Sequence, residues 1–212
     1  MKLSVKLFFL FLALPLAMAA QDKSADDFKN EGNEFVRTKD FKSALASYEQ
    51  AITLWGDSVD AATVYAAADC ARRIKNNDTA IKYYNKSQEL NYKGDFCVFY
   101  IADILKDQNK DDEMEKVLLA GIEKYADGKP VQLMKKTLVS YYLKQGLEPY
   151  NEAGKILATT ATAKPEEYAA ITAKANEKFA EARPLIEKVL SFDAANENAT
   201  KMMNEIVSRL GK

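Results

Sequence analysis

A small side chain followed four residues later by a large one recurs along this chain. Two occurrences begin with alanine, Ala44-x3-Tyr48-x2-Ala51 and Ala80-x3-Tyr84-x2-Ser87, and a third, Met114-x3-Leu118-x2-Gly121, has methionine in the first position. Positions i, i+4 and i+7 share one face of an α-helix, and small residues there let two helices approach closely. Successive occurrences are separated by about the length of one helical hairpin. The pattern therefore predicts antiparallel helix pairs that stack on a common apolar seam.

The helix before the first occurrence carries a matching motif. Phe28-x2-Glu31-Gly32-x2-Phe35 precedes a turn at Lys39-Asp40, and Gly56 stands where a closing residue is needed. Together these residues resemble the tetratricopeptide repeat (TPR). The resemblance implies an all-α, right-handed superhelical solenoid of antiparallel helix pairs. We expect repeats over 25–58, 59–94 and 95–128, with Gly56 ending the second helix through a left-handed cap.

The last third of the chain departs from this spacing. Its next good match, Ala182-x3-Ile186-x2-Val189, lies two periods beyond Met114. An ordinary repeat between the two would bury Glu148, Glu152 and Lys155 without partners, which is too costly. We therefore expect one enlarged TPR-like hairpin over 129–194.

Three residues in this hairpin disfavour a straight helix. Gly146 and Pro149 should break or kink its first arm, and Pro184 raises the same question for the return arm. After the hairpin, an apolar stripe that includes Met202 and Ile206 predicts a helix over 195–212. A solenoid needs such a helix to cap its last open face.

The first residues have the pattern of a secretory signal. Lys2 and Lys6 precede an apolar run over 7–14, and Ala17-Met18-Ala19-Ala20 provides a cleavage site. A membrane anchor, the alternative, needs ~20 apolar residues, more than this segment has. We expect a cleaved signal peptide at 1–19 or 1–20, a periplasmic or secreted protein, and no membrane insertion after its removal.

The composition disfavours most kinds of catalysis. The chain has no histidine, a formal charge of −1 and only 8 glycines, and it lacks the glycine-rich phosphate-binding motifs. Acid pairs such as Asp111-Asp112 fall in first helical turns, where they favour the helix dipole. We expect no catalytic residues, no cofactor, no metal and no nucleic-acid partner. For Cys70 and Cys97, two separate buried thiols are favoured over a disulfide.

The resemblance also locates a binding surface. In proteins of this type, one stripe of the first helices lines a concave groove that holds peptides or partner helices. Aligned in register, the stripe predicts a partner-binding groove made of Lys29, Asn33, Tyr65, Asp69, Arg72, Phe99, Asp103 and Lys106. For the aromatic members, packing between hairpins is the competing interpretation.

These features predict a non-catalytic exported scaffold that binds a protein or peptide. Lys29 and Asn33 match the start of the carboxylate clamp of TPR co-chaperones. Its later positions fall on Ala66, Phe96 and Tyr100, so capture of that type is not expected. The alternative is a structural, self-associating component of the cell envelope. The oligomeric state and the identity of the partner stay open.

Overall fold

The computed structural model describes residues 23–211, so the signal peptide expected at 1–19 lies outside the described residues. Within this range the chain forms nine α-helices and no strand. They are α1 Ala25–Arg37, α2 Phe41–Trp55, α3 Ala61–Arg73, α4 Asn77–Glu89, α5 Gly94–Asp107, α6 Asp111–Lys124, α7 Val131–Ala158, α8 Tyr168–Phe192 and α9 Glu197–Leu210.

The helices follow one another as stacked pairs. α1 packs on α2, α3 on α4, α5 on α6 and α7 on α8, and the second helix of each pair packs on the first helix of the next. α9 packs on α8 at the end of the stack. The all-α solenoid expected from the sequence is confirmed.

The recurring motif forms the core of this stack. Its small first positions, Ala44, Ala80 and Ala182, are fully buried, and Met114 is 1% exposed. The large side chains four residues later are equally buried; they are Tyr48, Tyr84, Leu118 and Ile186. The seam is therefore continuous from the first pair to the last.

The turn inside each pair repeats as well. Lys39, Lys75 and Asn109 occupy equivalent turns and adopt left-handed backbone conformations, with φ of 63°, 60° and 56°. Asp40 then caps α2 by accepting a 3.1 Å hydrogen bond from the Ser43 amide. Gly56 ends α2 with the positive φ of 55° that the predicted cap requires, but its ψ of −121° lies outside the left-handed helical region, so the cap is of a different type.

α7 runs unbroken from Val131 to Ala158 through Gly146 and Pro149, so the arm does not break. A Cβ at Gly146 would come within 2.8 Å of Ile186 Cδ1, so the glycine lets α8 pack close to α7. Pro149 lacks one backbone donor and its ring crowds the carbonyl one turn earlier, at a cost of about 3 kcal/mol, and the helix continues through it. Pro184 is likewise inside α8.

Cys70 and Cys97 are free thiols and both are buried, as favoured from the sequence. Cys97 Sγ donates to the backbone oxygen of Tyr92 at 3.7 Å. Burial raises the pKa of each thiol to about 11. The thiols therefore behave as small apolar side chains of the core.

Gly32 is the tightest contact inside the first pair. A Cβ at this position would lie 2.5 Å from Cε1 of Tyr48. The ring cannot retreat, because Tyr48 is 2% exposed and its hydroxyl donates to Asn33 Oδ1 at 2.9 Å. A Cβ placed on Gly154, in the interior of α7, would have no neighbouring atom within 4 Å.

These two glycines form a matched pair for a stability test. Gly32→Ala should lower the free energy of unfolding by about 1–2 kcal/mol, because the overpacking outweighs the gain in helix propensity. Gly154→Ala should raise it by about 0.5–1 kcal/mol, because only the propensity term acts. Urea unfolding followed by circular dichroism measures both. Equal stabilisation by the two substitutions would contradict the close packing of α1 on α2.

Candidate functional site

The eight predicted groove residues all lie on α1, α3 and α5. These helices and α7 are the first members of their pairs and form one side of the stack, which we call the first-helix face. The second members, α2, α4, α6 and α8, form the opposite second-helix face. The stack thus places the predicted residues on one surface, although their side chains have different environments.

Lys29 and Asn33 of α1 are both held by other residues of the fold. Lys29 Nζ forms a 2.8 Å ion pair with Asp60, the residue that caps α3, and lies 5.8 Å from the centroid of the Trp55 ring. Asn33 is exposed but accepts the hydrogen bond from Tyr48 described above. Both residues therefore help to join neighbouring helices.

Tyr65 of α3 lies in an aromatic cluster. Its ring makes edge contacts with Tyr84 and Tyr92, each with centroids 5.8 Å apart. The Lys93 ammonium lies 4.6 Å from the Tyr65 centroid. The ring is half-buried, so it packs between hairpins on one side and contributes to the surface on the other.

Arg72 is the most highly connected of the predicted residues. It forms a 2.6 Å ion pair with Asp69, donates from Nε to the Tyr84 hydroxyl at 3.1 Å, and stacks 4.3 Å from the centroid of Tyr100. Burial opposes its charge, but the bonds with Asp69 and Tyr84 outweigh this effect and raise the pKa of Arg72. We call Arg72 and Tyr100 the plug, because they fill the space between α3 and α5.

The predicted residues of α5 are less constrained. Phe99 is half-buried beside Tyr100, with centroids 5.5 Å apart. Asp103 and Lys106 are exposed, and neither forms an ion pair with another residue of the range 23–211. This end of the surface therefore has charges available to a partner.

On one side of the plug, a cavity of about 290 Å³ opens between α1 and α3. We call it the N-terminal pocket. Its walls are mostly apolar, made by Val36, Phe41, Tyr48, Ala66 and Cys70. Arg73 closes the rim, 4.9 Å from the Phe41 centroid and bonded to Asp69 at 2.7 Å.

On the other side, a cavity of about 260 Å³ lies between α5 and α7. We call it the C-terminal pocket. Lys106 is its one predicted residue; the sequence reasoning missed the contribution of α7, made by Thr137, Ser140, Tyr141 and Lys144. The repeat spacing could have indicated this contribution, because Thr137 and Tyr141 lie one period after Asp103 and Asp107 of α5.

A cavity of about 480 Å³ lies on the second-helix face, between α4 and α6. Between α2 and α4 the equivalent space holds Tyr83, whose hydroxyl donates to Glu49 at 3.1 Å. One period later the corresponding residues are Val117 and Asn85, which line the open cavity. The cavity thus exists because shorter side chains occupy these two positions.

Two further properties concern the described part of the chain. Residues 23–211 contain no cluster of three or more acidic or cysteine side chains arranged to hold a metal ion. No helix in this range combines the length and apolar character that crossing a bilayer requires.

The comparisons with known proteins agree with this geometry. The family model of the tetratricopeptide repeat matches residues 61–93, which contain α3 and α4. In structure, the chain is similar to a TPR repeats protein from Bacteroides fragilis, with a TM-score of 0.62 and 20% identity over 87% of this chain and 98% of that one. Residues 61–93 are thus a tetratricopeptide repeat, and the chain shares its fold with a TPR protein.

A protein from Bacteroides ovatus whose proposed role is protein binding is a weaker structural match to this chain. Its TM-score is 0.46 and its identity 15%, over 89% of this chain and 98% of that one. No curated protein is significantly similar in sequence. The matched TPR repeat supplies Tyr65, Asp69 and Arg72, so the plug begins in the best-defined repeat.

Asp69 offers a test of the electrostatics of this surface. Burial opposes its charge, but hydrogen bonds from Arg73 and Arg72 outweigh burial and lower the pKa of Asp69 below its ordinary value of 3.8. A lowered pKa stabilises the fold above about pH 4, and this stabilisation is lost as the pH falls through the folded-state value. Asp69→Asn should therefore cost about 1 kcal/mol at neutral pH, with the difference from wild type shrinking in acid.

Unfolding by urea between neutral pH and strong acid measures this difference. The matched control is Asp103→Asn, at the equivalent and exposed position of α5, which should change stability by less than about 0.5 kcal/mol. Curves for wild type and Asp69→Asn that stay parallel down to strong acid would contradict the assignment.

Proposed function

We propose that this protein is an exported, non-catalytic TPR scaffold that binds a protein or peptide along its first-helix face. The observation that carries the proposal is the pair of open pockets on that face, one on each side of the plug. Recognition sites for peptides combine concave apolar pockets with nearby polar groups that fix orientation. The N-terminal pocket has the apolar walls and the C-terminal pocket has the polar groups.

The aromatic side chains support the same function. Tyr65 and Phe99 are half-buried, so each ring is held by neighbours while one part contributes to the surface. Aromatic rings held in this way provide contact area at a small entropic cost. A partner on the first-helix face would therefore meet a largely preformed surface.

The ionic contacts of this face suit recognition rather than proton transfer. Lys29 is paired with Asp60, and Arg72 with Asp69. The first pair joins α1 to the start of α3, and the second orients Arg72 on the surface of α3. We infer that these residues maintain the shape of the binding surface and that exposed residues such as Lys106 contact the partner.

Site-specific photocrosslinking tests where the partner binds. A photoreactive amino acid at Phe99 should crosslink a partner in cells that make the protein. The same probe at Leu54 of α2, which is 56% exposed, should not. Equal crosslinking at both positions, or crosslinking at Leu54 alone, would overturn the proposal. A product of two copies of this chain linked through Phe99 would favour the self-associating role instead.

Export is tested separately by the mature N-terminus. The signal pattern predicts that the purified native protein begins at Ala20 or Gln21. Mass spectrometry of the intact protein, after separation of periplasm, medium and cytoplasm, gives both the start and the compartment. An uncleaved chain retained in the cytoplasm would refute export without affecting the proposed binding face.

A further inference from the structure

The three spaces between neighbouring first helices are equivalent in the fold but differ in what fills them. Ala66 borders the N-terminal pocket between α1 and α3. One period later the same position is Tyr100, which closes the space between α3 and α5 under Arg72. The space between α5 and α7 is open again. The first-helix face is therefore divided into two pockets with a closed middle section.

We propose that this face binds an extended peptide at two separated points, through an apolar side chain in the N-terminal pocket and a carboxylate in the C-terminal pocket. This inference rests on the proposed function and specifies the chemistry of its partner. The two pockets differ enough in their side chains to distinguish the two ends of the peptide.

The N-terminal pocket suits an apolar side chain. Phe41, Ala66 and Cys70 form walls without a charge. Of the charged groups that line it, Asp69 is bonded to Arg72 and Arg73, and the side chain of Lys39 is exposed to solvent at the edge. Burying a leucine-sized side chain against the apolar walls removes apolar surface from water and leaves these charges in place.

The C-terminal pocket suits a carboxylate. Lys106 of α5 and Lys144 of α7 reach it from opposite sides, and neither forms an ion pair with another described residue. Ser140 and Tyr141 add hydroxyl groups between them. Ammonium and hydroxyl donors that converge in this way make charge-assisted hydrogen bonds to a carboxylate.

Three other polar residues, Asn109, Asp111 and Thr137, border the C-terminal pocket. Thr137 is already committed, since its hydroxyl donates to the Leu133 carbonyl at 3.1 Å. Asp111 lies in the first turn of α6, where the partial positive charge of the helix N-terminus offsets its carboxylate. Among the residues that line the pocket, two lysines therefore face one aspartate, an excess of one positive charge. Of the other carboxylates near Tyr141, Glu115 is paired with Lys188, and Asp112 lies in the first turn of α6.

The closed middle section sets the spacing between the two points. Neighbouring first helices lie about one helix diameter apart, ~10 Å, so two repeats span roughly 20 Å. An extended peptide covers this distance in about six residues. The residues between need no large side chain, because the plug leaves no pocket for one.

Defined peptides test the proposal. The probe is a Gly/Ser peptide with one Leu and one Asp about six residues apart, titrated into the ¹⁵N-labelled full-length protein and followed by amide chemical shifts. Replacing its Asp by Asn should weaken binding roughly fivefold, and its Leu by Ala roughly tenfold. Halving the number of residues between the Leu and the Asp of the peptide should weaken binding as much as either replacement does.

Variants of the protein assign each effect to its pocket. Lys106→Ala with Lys144→Ala should abolish the difference between the Asp and Asn peptides. Lys136→Ala, an exposed control on α7 outside the pocket, should preserve it. Ala66→Tyr, which copies the plug into the N-terminal pocket, should abolish the difference between the Leu and Ala peptides. Circular dichroism shows whether each variant is folded. If Ala66→Tyr does not fold, Phe41→Ala tests the same pocket by removing one of its apolar walls.

Each outcome decides for or against the inference. Loss of these differences in the matching variants supports it. Equal binding of all peptides, shifts confined to the second-helix face, or no shift at millimolar peptide overturns it. If peptides bind the first-helix face regardless of spacing and of the lysines, the inference fails while the proposed function stands. If Phe99 crosslinks no partner, the proposed function itself fails.

Discussion

Close approach of the two helices in each pair is the constraint on which the rest of the structure depends. It requires a small residue at the first seam position, and Ala44, Ala80 and Ala182 meet this requirement with no exposure. Met114 is the exception. Its pair compensates at Gly121, where a Cβ would lie 2.3 Å from Val98 Cγ1, and the flexible thioether fills the remaining space. Each pair of helices must approach closely on its own, so different residues can provide the small side chain in different pairs.

This dependence on local pairs explains why so much of the fold could be predicted. Each seam residue packs against a helix close in sequence, and its period is therefore visible in the chain. The three charged residues that excluded an ordinary repeat from the sequence, Glu148, Glu152 and Lys155, are all exposed on the long helix α7. The unbroken course of α7 was not predictable. Whether a helix continues past Pro149 depends on the support of α8 at Gly146, a contact between residues far apart in sequence.

The candidate site was less predictable for a related reason. Sequence register placed the eight residues on one face, but it did not reveal which charges are already paired. Arg72 is bound to Asp69 and Tyr84, whereas Lys106, at the equivalent position, has no ion pair among residues 23–211. Whether the space between two helices is open depends on a neighbouring position, Ala66 or Tyr100. The alignment of the exposed stripe did not consider that position.

The plug joins the stability of the fold to the shape of its surface. Asp69, Arg72, Tyr84 and Tyr100 connect α3, α4 and α5 through an ion pair, a hydrogen bond and a stacking contact. Because α3 lines the N-terminal pocket and α5 lines the C-terminal pocket, this network fixes one wall of each. A ligand therefore meets walls already ordered by folding, so little of its binding free energy is spent on ordering them. The residues that close the middle of the groove thus also keep its two ends open.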